Sequence, residues 1–136
     1  MDQINKVILS VGSNLGNREN NIKNAEEELN KRTGSVIACS PFYYSDPVGF
    51  LSDHQFCNVC MKLLTNFDPF VLLDEIQKIE SDLGRSASEK GLCKDRTIDI
   101  DIIFFNELEV KSQTLTIPHP KWELRPFVTI PLTQLM

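Results

Sequence analysis

The spacing of apolar residues in this chain switches between two and 3.6 in an order that few folds accept. Residues 5–11 alternate through Val7, Leu9 and Val11 and read as a strand. After the Gly-Ser-Asn-Leu-Gly-Asn stretch of residues 12–17, read as a turn, Ile22, Ala25 and Leu29 fall at helical spacing. Asn17 is the expected cap, Glu19 suits the positive helix start, and Gly34 closes the helix. Residues 35–44 and 56–65 read as two further strands. The loop 45–55 between them carries Asp46-Pro47-Val48-Gly49, which cannot continue ladder pairing. Asp68-Pro69 then opens a second helix, with Leu72, Leu73, Ile76, Ile79 and Leu83 as its stripe up to Gly84. Residues 97–105 return to strand, Asn106-Glu107 turns, and the remainder reads as short strands around Pro118, Pro120 and Pro126. Strand, helix, strand, strand, helix, strand is the split βαβ order. The expected class is therefore α+β, a ferredoxin-like antiparallel sheet with helices packed on it, in a single domain over residues 1–136.

Composition narrows the function. The 136 residues suffice to bury roughly two-thirds of the unfolded surface without a disulfide or metal staple. A net charge of −5, with 14 scattered Lys and Arg, offers no basic stripe, so no nucleic-acid partner is expected. No stretch approaches the roughly 20 apolar residues of a membrane helix, and Asp2, Asn5 and Lys6 interrupt any signal core; the expectation is a cytoplasmic chain with no membrane partner. Of the four cysteines, Cys39, Cys57 and Cys60 lie in apolar runs, where buried reduced thiols are expected. Cys57 and Cys60 point to opposite faces of a strand, and His54 and His119 are the only histidines, which argues against a zinc site.

The chemistry concentrates in Thr97-Ile98-Asp99-Ile100-Asp101-Ile102-Ile103-Phe104-Phe105. A period of two sends Asp99 and Asp101 to one face, with Ile98, Ile100, Ile102 and Phe104 on the other. Two adjacent carboxylates on a central strand repel and lose hydration unless a cation lies between them. Mg²⁺, which takes one or two carboxylates and completes its shell with phosphates and water, suits that pair; an open, solvated sheet face is the alternative. Arg85 and Arg96 flank a polar segment without apolar pattern that reads as a lid able to neutralise phosphate oxygens. Leu73, Gln77 and Glu80 share a helical stripe that either faces a base or ribose or is a polar helix edge. His119 is held between two prolines, as a phosphate donor or a structural residue. Phe56 and Asn58 share a face, an aromatic plate beside an amide that can both donate and accept, and Phe127 offers a second plate; core packing is the alternative for both rings. Gly12-Ser13-Asn14-Leu15-Gly16 lacks the Lys and hydroxyl ending of a phosphate loop and reads as a structural turn.

Taken in order, Val11-Gly12-Ser13-Asn14-Leu15-Gly16-Asn17-Arg18, Asp46-Pro47-Val48-Gly49, Phe56-Cys57-Asn58, Ile79-Glu80-x-x-Leu83-Gly84-Arg85, Asp95-Arg96-Thr97-Ile98-Asp99-Ile100-Asp101-Ile102 and Ile117-Pro118-His119-Pro120 with Arg125-Pro126-Phe127 resemble the 6-hydroxymethyl-7,8-dihydropterin pyrophosphokinases of folate biosynthesis. The resemblance implies transfer of pyrophosphate from ATP to the pterin, with Asp99 and Asp101 binding two Mg²⁺ ions and Arg85 and Arg96 closing over the phosphates. It also implies ATP contacts from Leu73, Gln77, Glu80, Ile102, Thr116, His119 and Arg125. Pterin contacts would come from Ser45, Asp46, Pro47, Val48 and Asn58, with Phe56 and Phe127 stacking on its faces, in a monomer. The chain departs from many members in having Leu92-Cys93-Lys94-Asp95 where they carry tryptophan and proline, and Phe56 where they carry tyrosine. Two rival readings remain at this level: a ligand-binding regulatory module of the same fold, and a metal-dependent phosphohydrolase.

Overall fold

The computed structural model describes residues 3–46, 55–84 and 97–135. Strand β1 (Asn5–Ser13) leads into helix α1 (Arg18–Arg32), followed by β2 (Ser35–Cys39), β3 (Tyr43–Ser45), β4 (Phe56–Thr65), α2 (Pro69–Asp82) and β5 (Asp99–Phe105). A hairpin of β6 (Val110–Lys111) and β7 (Thr116–Ile117), a 3₁₀ turn (Trp122–Leu124) and α3 (Pro126–Leu135) complete the chain. The main sheet runs β2-β4-β1-β5, with β3 pairing the start of β4, and each pairing is antiparallel. That order is the one expected for a split βαβ fold: β4 inserts between β1 and β2.

Local chemistry starts and stops the helices as the sequence indicates. Asn17 accepts from the Asn20 amide at 3.1 Å to cap α1, and Asp68 accepts from the Phe70 and Val71 amides at 2.9 and 2.8 Å to cap α2, with Pro69 in the first turn. Ile22, Ala25 and Leu29 of α1 and Leu72, Ile76 and Ile79 of α2 are buried against Val7, Leu9, Val11, Val59, Met61 and Leu63 of the sheet. Arg32 ties the two helices together, reaching Glu75 at 2.8 Å and Asp82 at 2.7 Å. Where α1 turns into β2, a Cβ on Gly34 would collide with the Leu64 carbonyl oxygen, so only glycine lets the two backbones approach this closely.

Five expectations need correction. Strand β1 continues through Gly12 and Ser13, which pair with β4, so the turn is confined to the residues after them; Asn21 pins it by donating to Ser13 Oγ and the Leu15 carbonyl at 3.1 and 2.8 Å. The strand expected over 35–44 is broken at Ser40-Pro41-Phe42 into β2 and β3, since Pro41 has no amide to give a ladder. Phe104 does not share the face of Ile98, Ile100 and Ile102. The register between β1 and β5 slips between Leu9↔Ile102 and Ile8↔Phe104, so Ile103 is an extra residue and the side-chain alternation resets. Phe105 therefore joins the helix-side core, while Ile103 and Phe104 join Cys60, Val128 and Trp122 on the other face. The C-terminal residues form α3 rather than short strands. Pro126 opens that helix, where its missing amide is harmless, and Pro131 is accommodated because it is buried beside Val128. Finally, Cys57 and Cys60 are buried free thiols, whereas Cys39, on the edge strand β2, is exposed.

Among the described residues no helix is long and apolar enough to cross a membrane. Gly34→Ala is expected to lower unfolding stability by more than about 1 kcal/mol, because the backbone contact with Leu64 must open. The check is a urea midpoint, and an unchanged midpoint rules out the collision.

Candidate active site

Helices α1 and α2 cover one face of the sheet; α3 packs on β4 and β3 from the other side, where it buries Cys60. Several of the residues expected to form the site lie on this second face. Directly paired residues in antiparallel strands project to the same side, and the register writes one row across the sheet: Tyr43, Asn58, Gly12 and Asp99. The next row holds Cys60, Ser10 and Asp101. Asn58 and Asp99 thus stand two strand spacings apart, about 10 Å, with only a glycine between them.

Gly12 has a physical reason to be glycine. A Cβ there would run into Asn58 Nδ2, so the Asn58 amide lies over β1 in space that any other residue would occupy. Asn58 is 6% exposed, and its Oδ1 has no hydrogen-bond partner among the described residues. A buried acceptor left unsatisfied costs about 1–3 kcal/mol, so this oxygen calls for a donor from beyond the described residues. Phe56, two residues earlier on the same face, is half-buried, and Phe127 lies in the first turn of α3 with the Arg125 guanidinium 5.7 Å from its ring centroid. Ser45 pairs with Phe56 in the ladder, and Asp46 just beyond it accepts from Gln55 Nε2 at 3.3 Å.

Asp99 and Asp101 are half-buried on this face, as the period of two requires. Among the described residues no three His, Cys, Asp or Glu side chains are arranged to enclose a metal. A two-carboxylate donor set fits a hard cation that takes its remaining oxygens from phosphate and water, as Mg²⁺ does.

Of the expected nucleotide residues, Glu80 and His119 meet the outer edge of β5. Glu80, 3% exposed, accepts the Ile100 amide at 2.8 Å, filling a ladder position that no strand among the described residues occupies. The chain after β7 does the same one turn of the ladder further on, where the His119 amide donates to the Ile103 carbonyl at 3.0 Å. The Ile117–Pro118 peptide is cis, and His119 Nδ1 lies 2.8 Å from the Pro120 carbonyl oxygen. Thr116 of β7 and Gln77 of α2 are half-buried. Leu73 packs against the helix-side core, and the Ile102 side chain is 4% exposed within it, so neither offers much side-chain surface. Pro47, Val48, Arg85 and Arg96, with the lid expected between the last two, lie outside the described residues. Gly12 and the edge-capping contact of Glu80 were not anticipated from the sequence. A glycine inside a strand pattern was the available signal for the first.

The model of the 7,8-dihydro-6-hydroxymethylpterin-pyrophosphokinase (HPPK) family matches residues 8–136. The chain belongs to this family. It is 35% identical over 132 residues to the 2-amino-4-hydroxy-6-hydroxymethyldihydropteridine pyrophosphokinase of Bacillus subtilis, covering 96% of this chain and 78% of that one. With the Porphyromonas gingivalis enzyme of the same name it is 40% identical over 131 residues, covering 95% and 89%. The fold matches a crystal structure of Plasmodium falciparum HPPK-DHPS with pterin and p-hydroxybenzoate at a TM-score of 0.76 and 16% identity, over 98% of this chain and 38% of that longer one. The antiparallel sheet with helices on it is thus an HPPK-like fold.

Replacing Glu80 by Leu should destabilise the fold by about 1–3 kcal/mol, because the Ile100 amide is left buried without its acceptor, whereas Gln at position 80 keeps an acceptor and should recover most of the loss. Urea unfolding of the two variants checks this; equal midpoints for both would refute it.

Proposed function

We propose that this chain transfers the β,γ-pyrophosphoryl group of ATP to the hydroxymethyl oxygen of 6-hydroxymethyl-7,8-dihydropterin, giving AMP and the pterin diphosphate in folate biosynthesis. The observation that carries this reading is the row Asn58, Gly12, Asp99: an amide whose buried oxygen has no hydrogen-bond partner among the described residues, seated over a glycine in line with a carboxylate pair. Asn58 Oδ1 would accept an N–H from the pterin edge, Phe56 and Phe127 would hold its flat faces, and Ser45, Asp46, Pro47 and Val48 would border it. Gly12 leaves the space over β1 that the Asn58 amide takes, and so sets that amide for the pterin edge.

ATP is the co-substrate of the family's reaction. Asp99 and Asp101 would hold two Mg²⁺ ions. Bound there, Mg²⁺ would neutralise the charge that develops on the triphosphate oxygens. The chemistry is an in-line displacement: the hydroxymethyl oxygen forms a bond to the β-phosphorus, the bond from that phosphorus to the α,β-bridging oxygen breaks, and AMP leaves with that oxygen. The hydroxyl proton passes to solvent or to a nearby carboxylate. Such transfers depend on positioning and on stabilising spread negative charge more than on a strong base. Arg85, Arg96, Arg125 and His119 would supply positive charge or donors to the phosphates, and Leu73, Gln77, Glu80, Ile102 and Thr116 the surroundings of the nucleoside. Glu80 would act chiefly through the β5 edge that it caps. Every residue named comes from one chain, so a monomer suffices.

Asp99→Asn and Asp101→Asn should each lower AMP formation by at least about 10²-fold with the fold intact, as expected for losing an electrostatic contact made in the transition state. Near-normal turnover in either variant would exclude the metal assignment. Gly12→Ala should raise KM for the pterin far more than KM for ATP, since its methyl group displaces the Asn58 amide. Release of phosphate from ATP without pterin would favour the phosphohydrolase, and binding of a nonhydrolysable ATP analogue that ignores Mg²⁺ would favour the regulatory module.

A further inference from the structure

The first helical residue of α1 is an arginine, which sets a cation against the positive end of the helix dipole. Local propensity argues against it there, and its contacts explain why it is present. Arg18 Nη1 donates to the Gln55 carbonyl at 3.0 Å, immediately before β4 begins, and the guanidinium lies 5.1 Å from the ring centroid of Tyr44 in β3. The Tyr44 hydroxyl donates to Glu19 at 2.9 Å, and Glu19 stands 3.8 Å from Arg18. Gln55 in turn donates to Asp46. One guanidinium therefore ties the helix start to both chain ends that border residues 47–54. The Tyr44 phenol is pushed up to about 12, first by its hydrogen bond to Glu19.

This cluster sits behind the site. Tyr44 pairs with Cys57, whose side chain belongs to the helix-side core, whereas the neighbouring pairs Tyr43 with Asn58 and Ser45 with Phe56 project to the opposite face. Strand β3 is three residues long and among the described residues pairs only with β4, too few ladder bonds to fix its position alone. Resting on the function proposed above, we infer that Arg18 is a positioning residue: from the far face of the sheet it fixes β3 against the start of β4, and thereby sets Ser45, Phe56 and Asn58 for the pterin without touching it.

The test compares full-length wild type with Arg18→Met and Arg18→Lys. Methionine keeps the length of the stem but loses charge and donors; lysine keeps a charge that can still reach the Gln55 carbonyl. With Met, KM for the pterin should rise about tenfold while KM for ATP stays within about twofold and the melting temperature holds, a size expected for a small misplacement of binding groups. Lys should recover part of the loss. Amide hydrogen exchange should quicken at Tyr44, Ser45, Phe56 and Cys57 in the Met variant and stay unchanged at Val7, Leu9 and Val11. Equal rises in both KM values, or exchange that quickens with no change for the pterin, overturn the positioning role. If wild type forms no AMP from ATP and pterin, the proposed function fails instead, and the exchange comparison alone decides whether Arg18 holds β3.

Discussion

Strand β1 is paired on both sides, by β4 and by β5, and the fixed register of those two ladders determines what stands beside what. Because Gly12 is opposite both Asn58 and Asp99, residues more than forty positions apart in sequence are brought to one line with only a glycine between them. A slip of one residue in either ladder would turn an entire strand over, sending a carboxylate or an amide into the helix-side core. The burial of Val7, Leu9 and Val11 against α1 and α2 is what forbids that slip. Hydrophobic packing on one face thus sets the chemistry on the other.

The two faces are kept distinct by irregularities as much as by regular pairing. The extra residue Ile103 resets the alternation of β5 after the carboxylates have been presented, which lets Phe105 enter one core while Ile103 and Phe104 enter the other. Among the described residues no strand pairs with the far edge of β5, and a bare sheet edge is exposed to wrong pairing. Here Glu80 takes the Ile100 amide and the His119 amide takes the Ile103 carbonyl, so side chain and loop cover this edge. That cover brings the second helix and the loop after β7 to the strand that carries both aspartates, which is where a triphosphate is expected to lie.

Membership of the pyrophosphokinase family rests on the sequence as a whole and not on any one residue of the sheet face. The family match spans residues 8–136, and the curated relatives quoted above are matched over most of their own length. In the longer Plasmodium chain the corresponding fold is 38% of the whole. The fold is therefore found both in proteins of about this length and as part of a larger one.

Much of this was legible in the sequence because it depends on local rules. Asn17 and Asp68 announce helix starts through side chains that satisfy orphan amides, and the period of two in Ile98-Asp99-Ile100-Asp101 fixes the shared face of the carboxylates before any partner strand is known. The order of periods already limits the sheet to a split βαβ arrangement. What the sequence could not decide is non-local. Pro126 and Pro131 look like breakers until the burial of Val128 and Pro131 stabilises α3 around them; the bulge at Ile103 exists only in relation to β1; and Glu80 looks like a polar helix edge until the outer edge of β5 arrives beside it. Likewise Gly12 reads as a turn glycine by composition alone. Its meaning appears only when Asn58 is folded over it, because the space a side chain is denied depends on which strand lies next to it.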